Sequence, residues 1–487
     1  MEIELIGAIS EGLLVEVRGV LAKHAVEAYL IGGYVRDTLL GRDRGDIDIV
    51  VATGAMEIAQ DVARSIGGKY VPLDEANEIA RVVLPHGKTE RQRYLDFSSM
   101  RGSIEEDLAH RDFTINAIAV SLGESAHLID PLGGRRDLKE RLVRAASDEA
   151  FEEDPARLLR AVRLAAEFGF VIEPRTEALI QRYSKLIAKV ASERITEELC
   201  RILAAPKAAQ SLRYLDQLRL LEAIIPELTI LKGAEQPKEH FWDVFEHSME
   251  TVAAIELLLR ERGAASGSEN IIALAPWSAA LSLHFDQEVS NGHTRRVLLK
   301  LAALLHDIAK PQTKTIDDSG RTRFFGHPKE GARIAGEILE RLRFSSREVK
   351  MIQKMIEHHL RPAQMGEGAL PSHRAIYRYF RDTDDVGIDT IFLSLADHLA
   401  TRGPMLDLAQ WQEHARMADY VLAERFKEES VVTPPKLIDG HDLIDIFGMS
   451  PGPQIGVLLE EVRQGQAAGE ITTREEALSF VAKRVNQ

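Results

Sequence analysis

A single cysteine, Cys200, stands among 487 residues, so no disulfide can form within the chain. That excludes the disulfide-stapled secreted scaffolds and points to a reducing compartment. Long apolar runs are missing as well. The most apolar stretch, "IIALAPWSAALSLHF" from Ile271 to Phe285, is too short to span a bilayer and contains Pro276. The opening "MEIELIGAIS" lacks the basic start and small-residue cleavage site of a signal peptide. The expectation is a cytoplasmic chain with no membrane partner.

Basic charge is also in short supply: the net charge is −15, which taken alone argues against nucleic acid as a partner. The distribution is uneven, however. Between Gly134 and Leu220 there are 17 Lys+Arg against 14 Asp+Glu, an excess of +3 that leaves −18 on the rest. A locally basic segment can hold a phosphate backbone inside an acidic protein, because binding follows the local potential.

At this length several cores are needed. In the first third, "AYLIGG", "DIDIVVA", "ARVVLP" and "YLDFSS" read as strands, and "GAMEIAQDVARSIGG" as a helix closed by a glycine pair. Beyond the turn "DPLGGRRDL" nearly everything has helical periodicity. Breaks fall at "AAPKAA", "LKGAEQPKEH", the linker-like "ERGAASGSEN" and "VVTPPKLIDG". The reading is an α+β head over 1–134, a helical neck and body over 135–235, a further helical domain over 236–430 and a helical tail over 431–487. Nothing in the chain fixes an oligomeric state.

The segment "LIGGYVRDTLLGRDRGDIDIVV" sets Asp46 and Asp48 one residue apart inside an apolar strand. On a strand, residues i and i+2 share a face roughly 7 Å apart, so the two carboxylates project side by side. They repel each other unless cations neutralise them. Mg2+ suits them, since it takes carboxylates and substrate phosphates together. Gly32 and Gly33 leave backbone amides open to a phosphate, and Arg36 offers a guanidinium to the same oxygens. A metal-bound triphosphate beside a 3′ hydroxyl gives in-line nucleotidyl transfer. A solvent-facing aspartate pair near a glycine turn is the plainer reading of D-x-D alone; the glycine pair, Arg36 and D-x-D in this order favour the metal site.

Two later segments extend the argument. In "EEDLAHRDFTINAIAV", Arg111 and Asp112 precede an apolar core segment. In "FEEDPARLLRAVRLAAEFGF", a helix is expected to start at Pro155, and Asp154, Arg157, Arg160 and Arg163 recur at i+3 as successive neighbours. A solvated basic stripe would look the same. An Asp beside an Arg has another use: the carboxylate accepts from an exocyclic amino group while the guanidinium donates to the adjacent ring nitrogen. That pattern fits cytosine and adenine and mismatches uracil and guanine.

Together, "GGYVRD…GDID", "EEDLAHRDFTINAIA", "DPLGGRRDL" and "EDPARLLRAVRLAAEFGF" resemble the successive motifs of the bacterial class II CCA-adding tRNA nucleotidyltransferase and poly(A) polymerase family. The resemblance runs strongly from Tyr29 to Phe170 and more weakly to the C-terminus. It implies a polymerase-beta-like head with Asp46 and Asp48 as catalytic metal ligands. It further implies Gly32, Gly33, Arg36 and Arg111 at the incoming nucleotide with Asp112 nearby. Glu153, Asp154 and Arg157 would then serve as a protein template for the base, supported by Arg160 and Arg163. The implied partners are a tRNA 3′ end with CTP and ATP. Poly(A) synthesis is the alternative within the class. Two departures stand out. Many relatives carry a flexible loop between the strand after D-x-D and the "EDL" motif, whereas "YLDFSSMRGSIEEDL" passes almost directly from one to the other. That shortening resembles enzymes that add only the two cytidines. His110 stands where an arginine is usual.

A second constellation runs through "HFWDVFEHSMET" (His240, His247), "LAALLHDIAKPQT" (His306, Asp307, Lys310), "FFGHPKEG" (His327), "IEHHLRP" (His358, His359) and "LADHLAT" (Asp397). Imidazole and carboxylate are the ligands of a transition-metal hydrolytic site, and Lys310 could hold the phosphate under attack. A lone histidine on a helix is usually packing, but a His-Asp pair inside "LLKLAALLHDIAK" is costly without a partner or metal. This series resembles the HD phosphohydrolase superfamily. The resemblance makes His247, His306, Asp307 and Asp397 ligands of a divalent transition metal, with His327 and His358 or His359 as the additional ligands of two-metal members. A reading from another class makes this domain the working enzyme, a phosphohydrolase or cyclic phosphodiesterase, with the head as its RNA-binding module.

Overall fold

The computed structural model describes residues 12–42, 46–84, 94–123, 126–237, 240–260, 269–365, 370–427, 432 and 434–485. Most of the linker-like stretch, 261–268, and part of the boundary at 431–433 lie outside the described residues. The chain divides into two compact units, one of residues 1–191 with 217–223, the other of 192–216 with 224–487.

In the first unit, helix α1 (Leu13–His24) leads into strand β1 (Ala28–Ile31), helix α2 (Gly32–Leu39), strand β2 (Ile47–Val51) and helix α3 (Ala55–Ile66). Strands β3 (Lys69–Asp74), β4 (Ile79–Val83) and β5 (Tyr94–Ser99) follow, then helix α4 (Ile104–Ala109) and strands β6 (Ala119–Ser121) and β7 (Leu128–Ile129). They form one seven-stranded sheet in the order β3-β4-β5-β2-β1-β6-β7. β2 and β5 run parallel while β1 is antiparallel to both β2 and β6. One face is closed by α3, whose Ile58, Ala59 and Val62 are buried. On the other, Val50 and Tyr29 pack with Ile104 and Leu108 of α4, leaving the end of the face beside Asp48 open. Helices α5 (Gly134–Glu140), α6 (Ala150–Glu153) and α7 (Arg157–Phe168) complete the part that bears on function.

Three local outcomes differ from the sequence reading. Gly32 and Gly33 belong to a helix rather than to the end of a strand, because Gly32 turns the chain at φ 69°. The expected helix start at Pro155 is displaced to Arg157, with a short helix ahead of it; Asp154 is extended at φ −143°, ψ 97°, as a residue before proline prefers. β3 and the short β6 and β7 carried no clear alternating pattern.

The second unit is helical. Its chemistry sits on α8 (Val244–Leu258), α9 (Arg295–Leu305), α10 (His327–Arg341), α11 (Ser346–His358) and α12 (Gly387–Arg402). α9 is buried on nearly every side, which is why its sequence is apolar without a polar face. The described part of the stretch before it docks onto α12: Phe285 packs edge-on to Phe392 at 4.7 Å and parallel to Trp277. Arg295 and His284 both pair with Asp389 of α12, at 2.7 and 3.0 Å. A separate small core around Leu443, Leu458, Ala477 and Val481 holds the tail helices together.

Candidate active sites in the head and the helical unit

β2 buries Ile47 and Ile49 and thereby turns Asp48 to the opposite face, while Asp46 lies exposed at the strand's start. Ile31 stands across from Asp48, so the turn into α2 runs directly beside it. A Cβ on Gly32 would sit 3.0 Å from Asp48 Oδ2, with Arg111 Nη1 next at 3.8 Å. Only glycine accommodates both the left-handed turn and that approach. Burial pushes the Asp48 carboxyl up to about 6; Arg111 opposes this, and Asp96 and Asp46 add to it. A carboxylate held charged in this position calls for a cation, and the donor set of hard oxygens fits a divalent one.

Asp96 is a site residue that the sequence reading did not single out. It lies on β5 level with Asp48 across the parallel pair, and Arg81 of β4 clasps it with two bonds of 2.8 Å. The signal was present in "YLDFSS", but only the strand register shows which aspartate faces Asp48.

Beside Asp48 opens a cavity of about 640 Å3, lined among others by Gly33, Arg111, Asp112, Asn116, Asp154, Arg157 and Arg160. Asp112 accepts from Phe113 N (2.7 Å), from Asn116 Nδ2 (3.1 Å) and from Arg160 Nε (2.7 Å). Asn116 is a second residue missed in the sequence; it sits in the quoted motif yet looks like part of its core. Arg36 is not brought to the phosphate side. Its guanidinium is buried, donating to Asn116 Oδ1 at 2.7 Å and to Asp37, and lies over the Phe168 ring. Arg163 is likewise buried behind the cavity, paired with Glu167 at 2.8 Å. Glu153 is exposed and outside the cavity lining, where it holds Arg157 and His110.

In the second unit, His247 Nε2 lies 3.2 Å from His306 Nε2, 3.0 Å from Asp397 Oδ1 and 3.3 Å from Asp307 Oδ2. His327 Nε2 and His359 Nε2 approach the other oxygen of Asp307, at 3.4 and 4.0 Å. Three of these imidazoles point Nδ1 at a backbone carbonyl: His306 at Ala303 (2.8 Å), His327 at Phe324 (2.8 Å) and His359 at Ile356 (2.6 Å). Each carries a proton on Nδ1 to donate there, so Nε2 is the nitrogen that faces the cluster and that a metal would take, displacing any proton held there. His327 Nε2 is buried with no hydrogen-bond partner. Burial would push the Asp307 carboxyl up, but His306 and Lys310 beside it hold it well below the usual range. The ligand atoms of His247, His306 and Asp397 form one compact group and those of His306, Asp307 and His359 another. The residues present fit a divalent cation.

His358 is not brought to this cluster. Consecutive helical residues point about 100° apart, so with His359 turned inward His358 is half-buried near Arg361 and Asp382. Lys310 is tied to Asp307 Oδ2 at 2.5 Å and donates to Gln236 at 2.7 Å.

Comparison with known proteins decides the lineage. A family profile described as the poly A polymerase head domain matches residues 28–144, an HD domain profile 244–402, and a profile for tRNA nucleotidyltransferase domain 2 matches 398–482. The chain is 33% identical over 465 residues to the A-adding tRNA nucleotidyltransferase of Deinococcus radiodurans, covering 94% of this chain and 95% of that one. It is 32% identical over 462 residues to the CC-adding tRNA nucleotidyltransferase of Thermus thermophilus, covering 93% of each. The chain belongs to the CCA-adding tRNA nucleotidyltransferase family. It is thus an enzyme of that family with an HD domain, and both parts use divalent metal. The Thermotoga maritima CCA-adding enzyme complexed with tRNA shares the fold at a TM-score of 0.62 and 24% identity, covering 97% of this chain and 95% of that one. Among the described residues no helix is long and apolar enough to cross a membrane.

Proposed function

We propose that this nucleotidyltransferase adds two cytidines, and no adenosine, to the 3′ end of tRNA in the cytoplasm. The observation that carries the reading is the connection from β5 to α4. Only Met100, Arg101, Gly102 and Ser103 separate Ser99 from Ile104. The connection is also locked: Ser103 and Glu106 form a reciprocal capping box, and Gly102 at φ 68° packs so closely that a Cβ would meet Glu106 Oε2 at 1.9 Å. In relatives that switch from CTP to ATP this place holds a flexible loop; here there is neither length nor freedom for one. The names of its relatives do not choose, since they include both A-adding and CC-adding enzymes.

In this reading Asp46 and Asp48, with Asp96 beside them, hold Mg2+, which neutralises the triphosphate and the developing oxyanion when bound. Arg111 faces the phosphates, and Asp154 with Arg157 reads the Watson–Crick edge. Asp112, held by Asn116 and Arg160, orients the nucleotide, and Arg36 and Arg163 act from behind by fixing the shell. Residues 1–134 form the head, 135–235 the neck and body that grip tRNA through phosphate contacts, 236–430 the HD domain and 431–487 the tail. The HD cluster supports a second activity, hydrolysis of phosphoesters with a transition metal held by His247, His306, Asp307 and Asp397; the three fixed imidazole tautomers favour it.

Purified protein with Mg2+ and a tRNA ending at the discriminator base, given CTP, ATP or both, tests the first reading at single-nucleotide resolution. Two additions with CTP and no third with both nucleotides are expected. A third addition on supplying ATP would restore CCA synthesis, and a long adenosine ladder would mean poly(A) synthesis.

A further inference from the structure

His110 follows α4 as its C-cap residue and lines the nucleotide cavity. Two of its groups reach the base-reading helix. Its backbone carbonyl accepts from Arg157 Nη2 at 2.9 Å, and its imidazole Nδ1 donates to Glu153 Oε1 at 3.1 Å. The other oxygen of Glu153 accepts from Arg157 Nη1 at 3.4 Å, which also donates to the Ala150 carbonyl at 3.1 Å. Arg157 is therefore held from three directions, and His110 supplies one directly and steadies another through Glu153. Asp154, its partner in base reading, is fixed by the extended backbone before Pro155 and by its own bond to Ala156 N at 3.2 Å.

Cytosine and adenine offer the same pair of groups, an exocyclic amino group and an adjacent ring nitrogen. The fused ring of the purine carries that pair further from the ribose. An Asp-Arg pair that reads both bases in turn must shift between them; one that is held still reads one. We infer that His110 is a positioning residue for base choice, holding Glu153 and Arg157 in the orientation that reads cytosine. The inference rests on the CC-adding reading and names the element that enforces it. Arginine, usual at this place in the family, reaches further and can form two parallel bonds to a carboxylate, so it would hold Glu153 in a different position.

The test is steady-state kinetics with CTP and with ATP separately, on tRNA lacking its terminal nucleotides, for the wild type, His110→Ala and His110→Asn. Loss of one charged hydrogen bond predicts that His110→Ala lowers the CTP-over-ATP ratio of kcat/KM about fivefold. The change should fall mainly on KM for CTP, with the melting temperature unmoved because the imidazole is exposed. His110→Asn places an amide donor near the same point and should recover the ratio. A ratio unchanged in His110→Ala, an equal loss with both nucleotides, or an Asn variant indistinguishable from Ala would overturn the inference while leaving CC addition intact. A wild type that goes on to add adenosine would sink the CC reading and this restraint together.

Discussion

Asp48 and Asp96 lie level with each other across the parallel pair of strands β2 and β5, yet they are neutralised differently. Arg81 clasps Asp96, whereas burial and its acidic neighbours push Asp48 up to about 6. In the metal-free protein the native state thus holds a proton on Asp48 more tightly than the unfolded chain does. The sign follows: stability is greatest below pH 4 as far as this group is concerned, and falls as the pH rises toward and through 6, by about 3 kcal/mol at most. Asp48→Asn should remove that fall, raising the melting temperature of metal-free protein at pH 8 but not at pH 4, while abolishing nucleotide addition. Equal melting of the two proteins at pH 8 would contradict a buried charge awaiting a cation.

Arg36 and Asp112 do not touch; Asn116 joins them, accepting from one and donating to the other. Asn116→Ala would leave the buried guanidinium and the carboxylate each short of a partner, at a cost of about 1–3 kcal/mol. Denaturant unfolding should register that loss. Because Asp112 would keep only Phe113 N and Arg160 and be held less firmly, KM for CTP should rise severalfold with kcat less affected. A variant with wild-type stability and raised KM would show that Asn116 only positions Asp112.

How far the sequence led is visible in these residues. Asp46, Asp48, Arg111, Asp154 and Arg157 belong to short local patterns whose chemistry can be read without a fold, and the structure gathers all but Asp46 around one cavity. Asp96 depends on which strand lies beside β2, a long-range pairing that no local pattern encodes. Arg36 was legible as a residue but not as a direction: its charge is consumed by Asp37, Asn116 and the Phe168 ring. His358 and His359 are neighbours in sequence, and only the end of α11 determines which ring faces inward. The short β6 and β7 were invisible for another reason, since strands of two or three residues carry no periodicity.

The locked β5–α4 connection has a consequence for stability. Gly102→Ala imposes a left-handed residue with a side chain and drives its Cβ into the Glu106 carboxylate. Losing the cap and straining the turn together should cost about 1–3 kcal/mol. Thermal melting measures it. Should Gly102→Ala melt as the wild type does, the connection is freer than its geometry indicates, and the case against a switching loop weakens with it.

The two metal clusters lie on different units, so their chemistries should separate by mutation. His306→Ala with Asp307→Ala removes the imidazole common to both groups of HD ligands and the carboxylate of the second. Hydrolysis of bis-p-nitrophenyl phosphate with Mn2+, Ni2+ or Co2+ should disappear, while cytidine addition with Mg2+ continues. Asp46→Ala with Asp48→Ala should do the reverse. Metal binding can be followed without turnover, because a cation at a hundred times its Kd stabilises the native state by about 2.7 kcal/mol. The wild type should therefore melt higher with Mn2+ than with EDTA, and the His306/Asp307 double variant should lose the part of that shift which Mg2+ does not reproduce. If the wild type gains no such shift and hydrolyses nothing with any of these metals, the histidine cluster is a packed remnant and the head alone is the enzyme. If hydrolysis survives in the double variant, the metal sits elsewhere than on Asp307.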